Sequence, residues 1–463
     1  MTIRRLCVGL VVAGLLTAAA IDSKDFKAAD LFQITKVWSV DLVFTPEQWK
    51  AMTPRNVATR GGNFGGRELG PEGGRNGFAA ANGVAFDWTH ANFSIDGVTF
   101  NNIAARYKGN GTYFNGAGSG KISLKVDLNK YVKGQKLAKL DKLNFANNIT
   151  DPGWMNEELS YRLFRDAGVP APRSSYARIY VTITGQKPRE YWGLYSLIED
   201  VDDTFAQDRF GTKDGLLLKP VTTTLFHYLG DDWAKYNQIY DPKDDMSAAQ
   251  TQRIFDFCKL VTSANQAEFE AKLGDYLDLD EFARFMAVTV WLTDLDSILD
   301  NGQNYYVWLN PATQKFSFIA WDKDHAFGQF ARYGSMAQRR SLSIAQPYAD
   351  GNPFLARVFS VPAFKKLYLA KLAEFRTTIF QPERIIRQVE EIAPAIRPAI
   401  QEESQAKAKW FDEMTGESGS GSFSDTLRSF VKARAQSVDD QLDGKSQGSV
   451  LHGGSAGGGT AHF

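Results

Sequence analysis

Two short aromatic and β-branched runs, Tyr305–Leu309 (YYVWL) and Lys315–Trp321 (KFSFIAW), flank the turn-forming Asn310-Pro311-Ala312-Thr313-Gln314, a pattern that reads as a buried β-hairpin. A hairpin brings its first and last residues together, so Asn304 before the first run and Asp322 after the second are expected side by side. The same stretch, Trp291–Gly328, carries Asp294, Asp296, Asp300, Asn301 and Asp324. Asp296, on the preceding loop, can close the group. An acid, an amide and a second acid make an oxygen-only site, which suits Mg²⁺ or Mn²⁺ rather than zinc. Loops gather acids simply because they are solvated. An acid directly after an apolar strand and just before another acid, as in Trp321-Asp322-Lys323-Asp324, is poorly placed for solubility alone.

The order of these groups is that of the protein-kinase core: a catalytic-loop Asp, a metal-binding Asn, a hairpin, then a metal-binding Asp followed by a short apolar-Gly segment. Asp296-Ser297, Asn304-Tyr305-Tyr306 and Trp321-Asp322-x-Asp324-x-x-Phe327-Gly328 resemble the signature of the CotH kinases, the secreted atypical kinases named after spore coat protein H. The resemblance runs over roughly Trp38 to Leu442. Arg106-Tyr107-Lys108-Gly109-Asn110 and the lysine-bearing strand Lys121–Lys125 match it, as do the stop at Gly168-Val169-Pro170-Ala171-Pro172 and the run from Gly193 through Tyr195, Leu197 and Glu199 to Asp202. Arg209-Phe210-Gly211 and Leu216–Lys219 follow in the same way. The chain departs from the family at Asn156, where an arginine is common. That leaves open whether Glu157 or Glu158 pairs with a lysine, and an exposed helix acid is the expectation.

The resemblance implies an α+β, atypical protein-kinase-like two-lobed fold, with a strand-rich N-terminal lobe over 35–221 and a helical C-terminal lobe over 222–442. It also implies ATP-dependent phosphoryl transfer to a Ser, Thr or Tyr hydroxyl of a protein, which can be the chain itself. Asp296 would accept or orient the hydroxyl proton, while Asn304 and Asp322 hold Mg²⁺ or Mn²⁺ and Asp324 holds a second metal or orients Asp322. Lys121 or Lys125 would balance phosphate charge, with Arg106, Lys108, Glu199 and Lys219 as further nucleotide-site candidates. By physics alone Glu199 and Lys219 are strand-end charges. Two other classes stay open: a metal-dependent phosphohydrolase using the same acids, and a non-catalytic envelope or coat protein of the same fold.

Lysine plus arginine equal aspartate plus glutamate, 53 to 53 over 463 residues, so no global basic field invites nucleic acid. Met1–Ala20 reads as a cleaved export signal: Arg4 and Arg5, an apolar core from Leu6 to Leu16, then Ala18-Ala19-Ala20. The protein is therefore expected to be exported, without a stable membrane span once the signal is removed. Its loss takes Cys7 and leaves Cys258, on an amphipathic helical run, without a disulfide partner. Residues 61–83 read as a flexible Gly-rich insertion and 443–463 as a disordered Gly/Ser-rich tail. Gly111–Gly120 is a glycine-rich connection able to wrap a phosphate chain, although it fails the P-loop test because Ile122 and a strand follow Lys121.

Overall fold

Strict alternation of buried and outward residues along the first strand, β1 (Val37–Phe44), puts Trp38, Val40, Leu42 and Phe44 on one face. The same period organises β2 (Thr89–Ile95) and β4 (Leu124–Asp127), and β3 (Val98–Tyr107), β5 (Lys142–Ala146), β6 (Ser174–Ile183) and β7 (Lys187–Glu199) continue the sheet with longer buried runs. These seven strands close into a barrel in the order β1-β2-β3-β4-β5-β7-β6. Every pair is antiparallel except the closing one, in which β1 runs parallel to β6 from Val37↔Tyr176 to Phe44↔Ile183. Closure leaves no sheet edge exposed, and side chains such as Leu42, Phe93, Val126, Phe145 and Ile179 fill one core. This is a computed structural model, and it describes residues 26–54, 84–109, 111–331, 334–416 and 426–451. The export signal and the Gly-rich insertion lie outside the described residues.

A second core belongs to the helical lobe. It centres on the helix Leu279–Trp291, whose N-cap is Asp278 through its side chain to the Glu281 amide. At its other end the fully buried Arg434 donates to the carbonyls of Val290 and Trp291, satisfying groups a helix C-terminus leaves open. The helix Asn156–Asp166 joins this core, with Phe164 and Phe285 rings 5.6 Å apart. The fold is thus α+β, a strand-rich lobe against a helical one.

Three segments differ from their sequence reading. The strand β8 (Leu216–Leu218), read with the first lobe, pairs with β9 (Tyr305–Leu309), which pairs with β10 (Phe316–Ala320) in a separate three-stranded sheet. Gly111–Ser119, read as a loop, is a helix; a Cβ on Gly116 would stand 2.5 Å from the Lys121 carbonyl oxygen, so close packing explains that glycine. The tail does not lose structure at 443, because Ser449 bonds to Ser341 and Ser343 through the backbone; its residues from 452 onward lie outside the described ones. Cys258 is buried in the helix Ala248–Ser263, as a packed residue is expected to be.

Candidate functional site

The β9–β10 pairing ends at Tyr305↔Ala320, and left-handed residues flank this open end, Asn304 at φ 64° just before β9 and Asp322 at φ 54° after β10. Non-glycine residues adopt this conformation rarely and at a cost of about 1–3 kcal/mol, so surrounding contacts must hold them there. For Asn304 those contacts are visible. Its side-chain amide donates to the Asp296 carboxylate at 3.0 Å and to the Asp296 carbonyl at 2.8 Å. Its own carbonyl accepts from Lys323 Nζ at 2.8 Å, and that lysine also reaches Asp294 at 2.7 Å, both side chains being fully buried. Asp294 is therefore structural. Asp296 further accepts from Asn301 at 2.6 Å and Gln303 at 2.7 Å, so its carboxylate is fixed by three amides. With the Asn304 nitrogen spent on Asp296, the Asn304 side-chain oxygen remains as a ligand atom.

Asp322 is held from the helix Asn156–Asp166. Its amide donates to the Tyr161 hydroxyl at 3.0 Å, and Tyr161 donates to Glu157 at 2.9 Å. Glu157 and Glu158, expected to be exposed, are both buried on the helix Asn156–Asp166. Burial and then the neighbouring Asp322 raise the Glu157 carboxyl well above its usual range, against the pull of Lys108. Burial lowers the Lys108 ammonium although Asp322 and Glu157 attract it. No ion pair to Lys108 forms among the described residues; its Nζ lies 5.1 Å from the Trp321 ring centre. Lys219 stands over the same ring at 5.5 Å and over Tyr306 at 5.4 Å, and burial followed by the nearby Lys243 lowers it to about 7. Two partly desolvated ammoniums thus lie within the electrostatic reach of Asp322.

Asn304, Asp322, Lys108 and Lys219 face an interlobe cleft of about 470 Å³, lined also by Arg106 and Lys125, with Phe86, Val201, Leu217 and Val221 as apolar lining, whereas Asp296 lies outside the lining and reaches it through its bonds from Asn304 and Gln303. Arg106 also stacks over Trp88 at 4.9 Å. The remaining sequence candidates are placed otherwise. Lys121 is absent from the lining and pairs with Glu403 at 2.8 Å. Lys125 lines the cleft but is engaged by both oxygens of Asp200 at 2.8 Å. The buried Glu199 is taken up by Arg173 and Arg209, so it ties the strand end to the helix Asp203–Phe210 and does not reach the cleft. Asp324 is buried, accepts from the Thr150 hydroxyl and is raised to about 6, first by burial and then by Asp322 against His325. Burial alone would lower His325, but Asp324 and its neighbouring acids raise it. That arrangement favours Asp324 as a support of the Asp322 segment.

Sequence reasoning missed Lys323, Tyr161 and the burial of Glu157. The lysine between two acids in Asp322-Lys323-Asp324 was a signal for an internal counter-charge; nothing local marks Tyr161. Asn156, the departure from the family, donates to the Asp324 carbonyl at 2.7 Å. An amide from Asn304 and a carboxylate from Asp322 fit a hard divalent ion that keeps water or phosphate oxygens for its other positions. Among the described residues no three His, Cys, Asp or Glu are grouped to hold a metal by themselves. Nor, among them, is any helix long and apolar enough to cross a membrane.

The sequence profile of a family described as CotH kinase protein matches residues 105–438. Inner spore coat protein H of Bacillus subtilis (strain 168) is 22% identical over 307 residues, covering 63% of this chain and 76% of that protein. Among solved structures, a chain of the Shewanella oneidensis MR-1 toxin–antitoxin complex of HipA, HipB and operator DNA overlaps 69% of this chain and 66% of its own length, with TM-score 0.34 and 11% identity. The Helicobacter pylori proinflammatory kinase CtkA overlaps 74% and 94%, with TM-score 0.24 and 8% identity.

Proposed function

The chain belongs to the CotH kinase protein family, and from that premise we propose that it is an exported atypical protein kinase. It transfers the γ-phosphoryl group of ATP to a Ser, Thr or Tyr hydroxyl of a protein, with Mg²⁺ or Mn²⁺ as the metal. The observation that carries this reading is the convergence of Asn304, Asp322, Lys108 and Lys219 on one interlobe cleft, with Asp296 bonded to Asn304.

Each residue has a role that its surroundings support. Asp296, oriented by Asn301, Gln303 and Asn304, takes or directs the proton of the acceptor hydroxyl. The Asn304 side-chain oxygen and the Asp322 carboxylate would hold the metal, which would supply positive charge against the developing charge of the phosphates. Lys108 and Lys219, which line the cleft on the side of Asp322 and Trp321, are the cations facing phosphate, whereas Lys121 lies outside the lining and is held by Glu403 and Lys125 is held by both oxygens of Asp200. The apolar lining from Phe86, Val201, Leu217 and Val221 suits a nucleobase. The relative named as a spore coat protein supports a surface or coat location.

Incubation of the purified mature protein with γ-labelled ATP and Mg²⁺ or Mn²⁺ tests the proposal. Label on the protein itself or on an added protein supports it. Phosphate release without transfer points to a phosphohydrolase, and absence of nucleotide binding points to a structural role; either outcome overturns it.

A further inference from the structure

Asp322 has a left-handed backbone, and no hydrogen bond to its carboxylate forms among the described residues. Something other than its own side chain must therefore hold its orientation. The Tyr161 hydroxyl, in a fully buried side chain, accepts from the Asp322 amide at 3.0 Å and donates to Glu157 at 2.9 Å. A hydroxyl can take both roles at once, accepting from an amide while donating to a carboxylate. Nearby ties run the same way: Asn156 donates to the Asp324 carbonyl at 2.7 Å, and the Thr150 hydroxyl donates to the Asp324 carboxylate.

We infer that Tyr161 is a positioning residue: it holds Asp322 in its metal-binding conformation and joins the helix Asn156–Asp166 to the Asp322–Ala326 segment as one unit. The inference rests on the reading of Asp322 as a metal ligand. Its consequence is coupling. Glu157 on the helix and Asp322, the metal ligand, share one hydroxyl, so the helix cannot shift away from the cleft without releasing the Asp322 amide. The helix and the metal ligand thus move together.

Tyr161→Phe keeps the ring and deletes only the hydroxyl. In metal-free protein, hydrogen exchange at the Asp322 amide should accelerate about tenfold or more once its acceptor is gone. By calorimetry, affinity for a non-hydrolysable ATP analogue in Mg²⁺ should fall by about 10–100-fold, the scale seen when a partner of a metal ligand is removed. Affinity for the same analogue in EDTA should stay at the wild-type value. Unchanged Asp322 exchange together with unchanged Mg²⁺-dependent affinity overturns the inference, and so does an equal loss with and without metal. If Tyr161→Phe does not fold, Asn156→Ala cuts a parallel tie between the same segments. It should show the same Mg²⁺-specific loss, and its absence counts against the coupled unit. A wild-type protein that binds no nucleotide at all refutes the kinase reading instead, whereas the exchange measurement still decides whether Tyr161 holds Asp322.

Discussion

Lys121 Nζ lies 2.8 Å from Glu403 Oε1, and this buried ion pair joins the barrel lobe to the long helix Pro382–Glu403 of the other lobe. Glu403 also accepts from the Leu194 amide and from Lys407 at 2.7 Å. Burial would raise its carboxyl, but Lys121 and Lys407 hold it below the usual range, while burial lowers Lys121 to about 8 against the pull of Glu403. The two partners are unequal. Glu403→Gln leaves the Lys121 ammonium buried without its acid, at a cost of about 3–5 kcal/mol. Lys121→Met leaves Glu403 with Lys407 and the Leu194 amide, so it should cost clearly less. Chemical denaturation of both variants checks the order; equal losses would refute this account of the pair.

Gly193 makes room for that pair. Its φ is +122°, and a Cβ there would stand 2.5 Å from Glu403 Oε1 and 2.9 Å from the Lys121 Cε. Gly193→Ala should therefore lower stability by at least about 1–3 kcal/mol, from backbone strain and displacement of the carboxylate together. A melting temperature equal to wild type would show that Glu403 can move aside freely.

Asp322→Ala should abolish Mg²⁺-dependent nucleotide binding and leave the fold intact. The residue is partly exposed at the cleft, and its carboxylate accepts no hydrogen bond among the described residues. Calorimetry on the folded variant is the check, and unchanged metal affinity removes Asp322 from the site.

Asp296→Asn should slow phosphoryl transfer by roughly 10²-fold or more, the scale of losing a positioned acid–base group. Asparagine offers one acceptor oxygen where aspartate meets amides from Asn301, Gln303 and Asn304, so the Asn304 tie is also weakened. Single-turnover rates at saturating nucleotide isolate the transfer step. If Asp296→Asn transfers normally while Asp300→Asn is inactive, the base has been assigned to the wrong acid.

The pH dependence follows from Lys219. Burial and then Lys243 bring it to about 7, so in the free protein its charge is present below that pH and lost above it. Polyphosphate needs the charged form. The affinity of wild type for Mg²⁺·ATP, taken as a ratio to Lys219→Met, should fall as pH rises through about 7, by up to about tenfold per unit. A ratio independent of pH from 6 to 9 would mean that Lys219 does not face phosphate.

The hairpin, its turn, the contact of Asp296 with Asn304 and the nearness of Asn304 and Asp322 at the hairpin's open end were legible because they rest on local rules. Strand alternation, turn residues and hairpin geometry act within tens of residues, and they carry Asn304 and Asp322 to one place whatever the rest of the chain does. The matched motifs added the order of the site. What the sequence could not show is which cation serves the cleft. Four lysines stood as candidates on comparable strands, and their roles were decided by partners far along the chain: Glu403, 282 residues from Lys121, and Asp200, 75 residues from Lys125. The burial of Glu157 and the reach of Tyr161 to the Asp322 amide, 161 residues away, were settled in the same way. Local sequence determined the strands and the acids they carry. Only tertiary packing decided that Lys125 meets Asp200 inside the barrel and that Lys121 meets Glu403 across the lobes, because a charge pair forms only between groups that packing brings within a few ångströms.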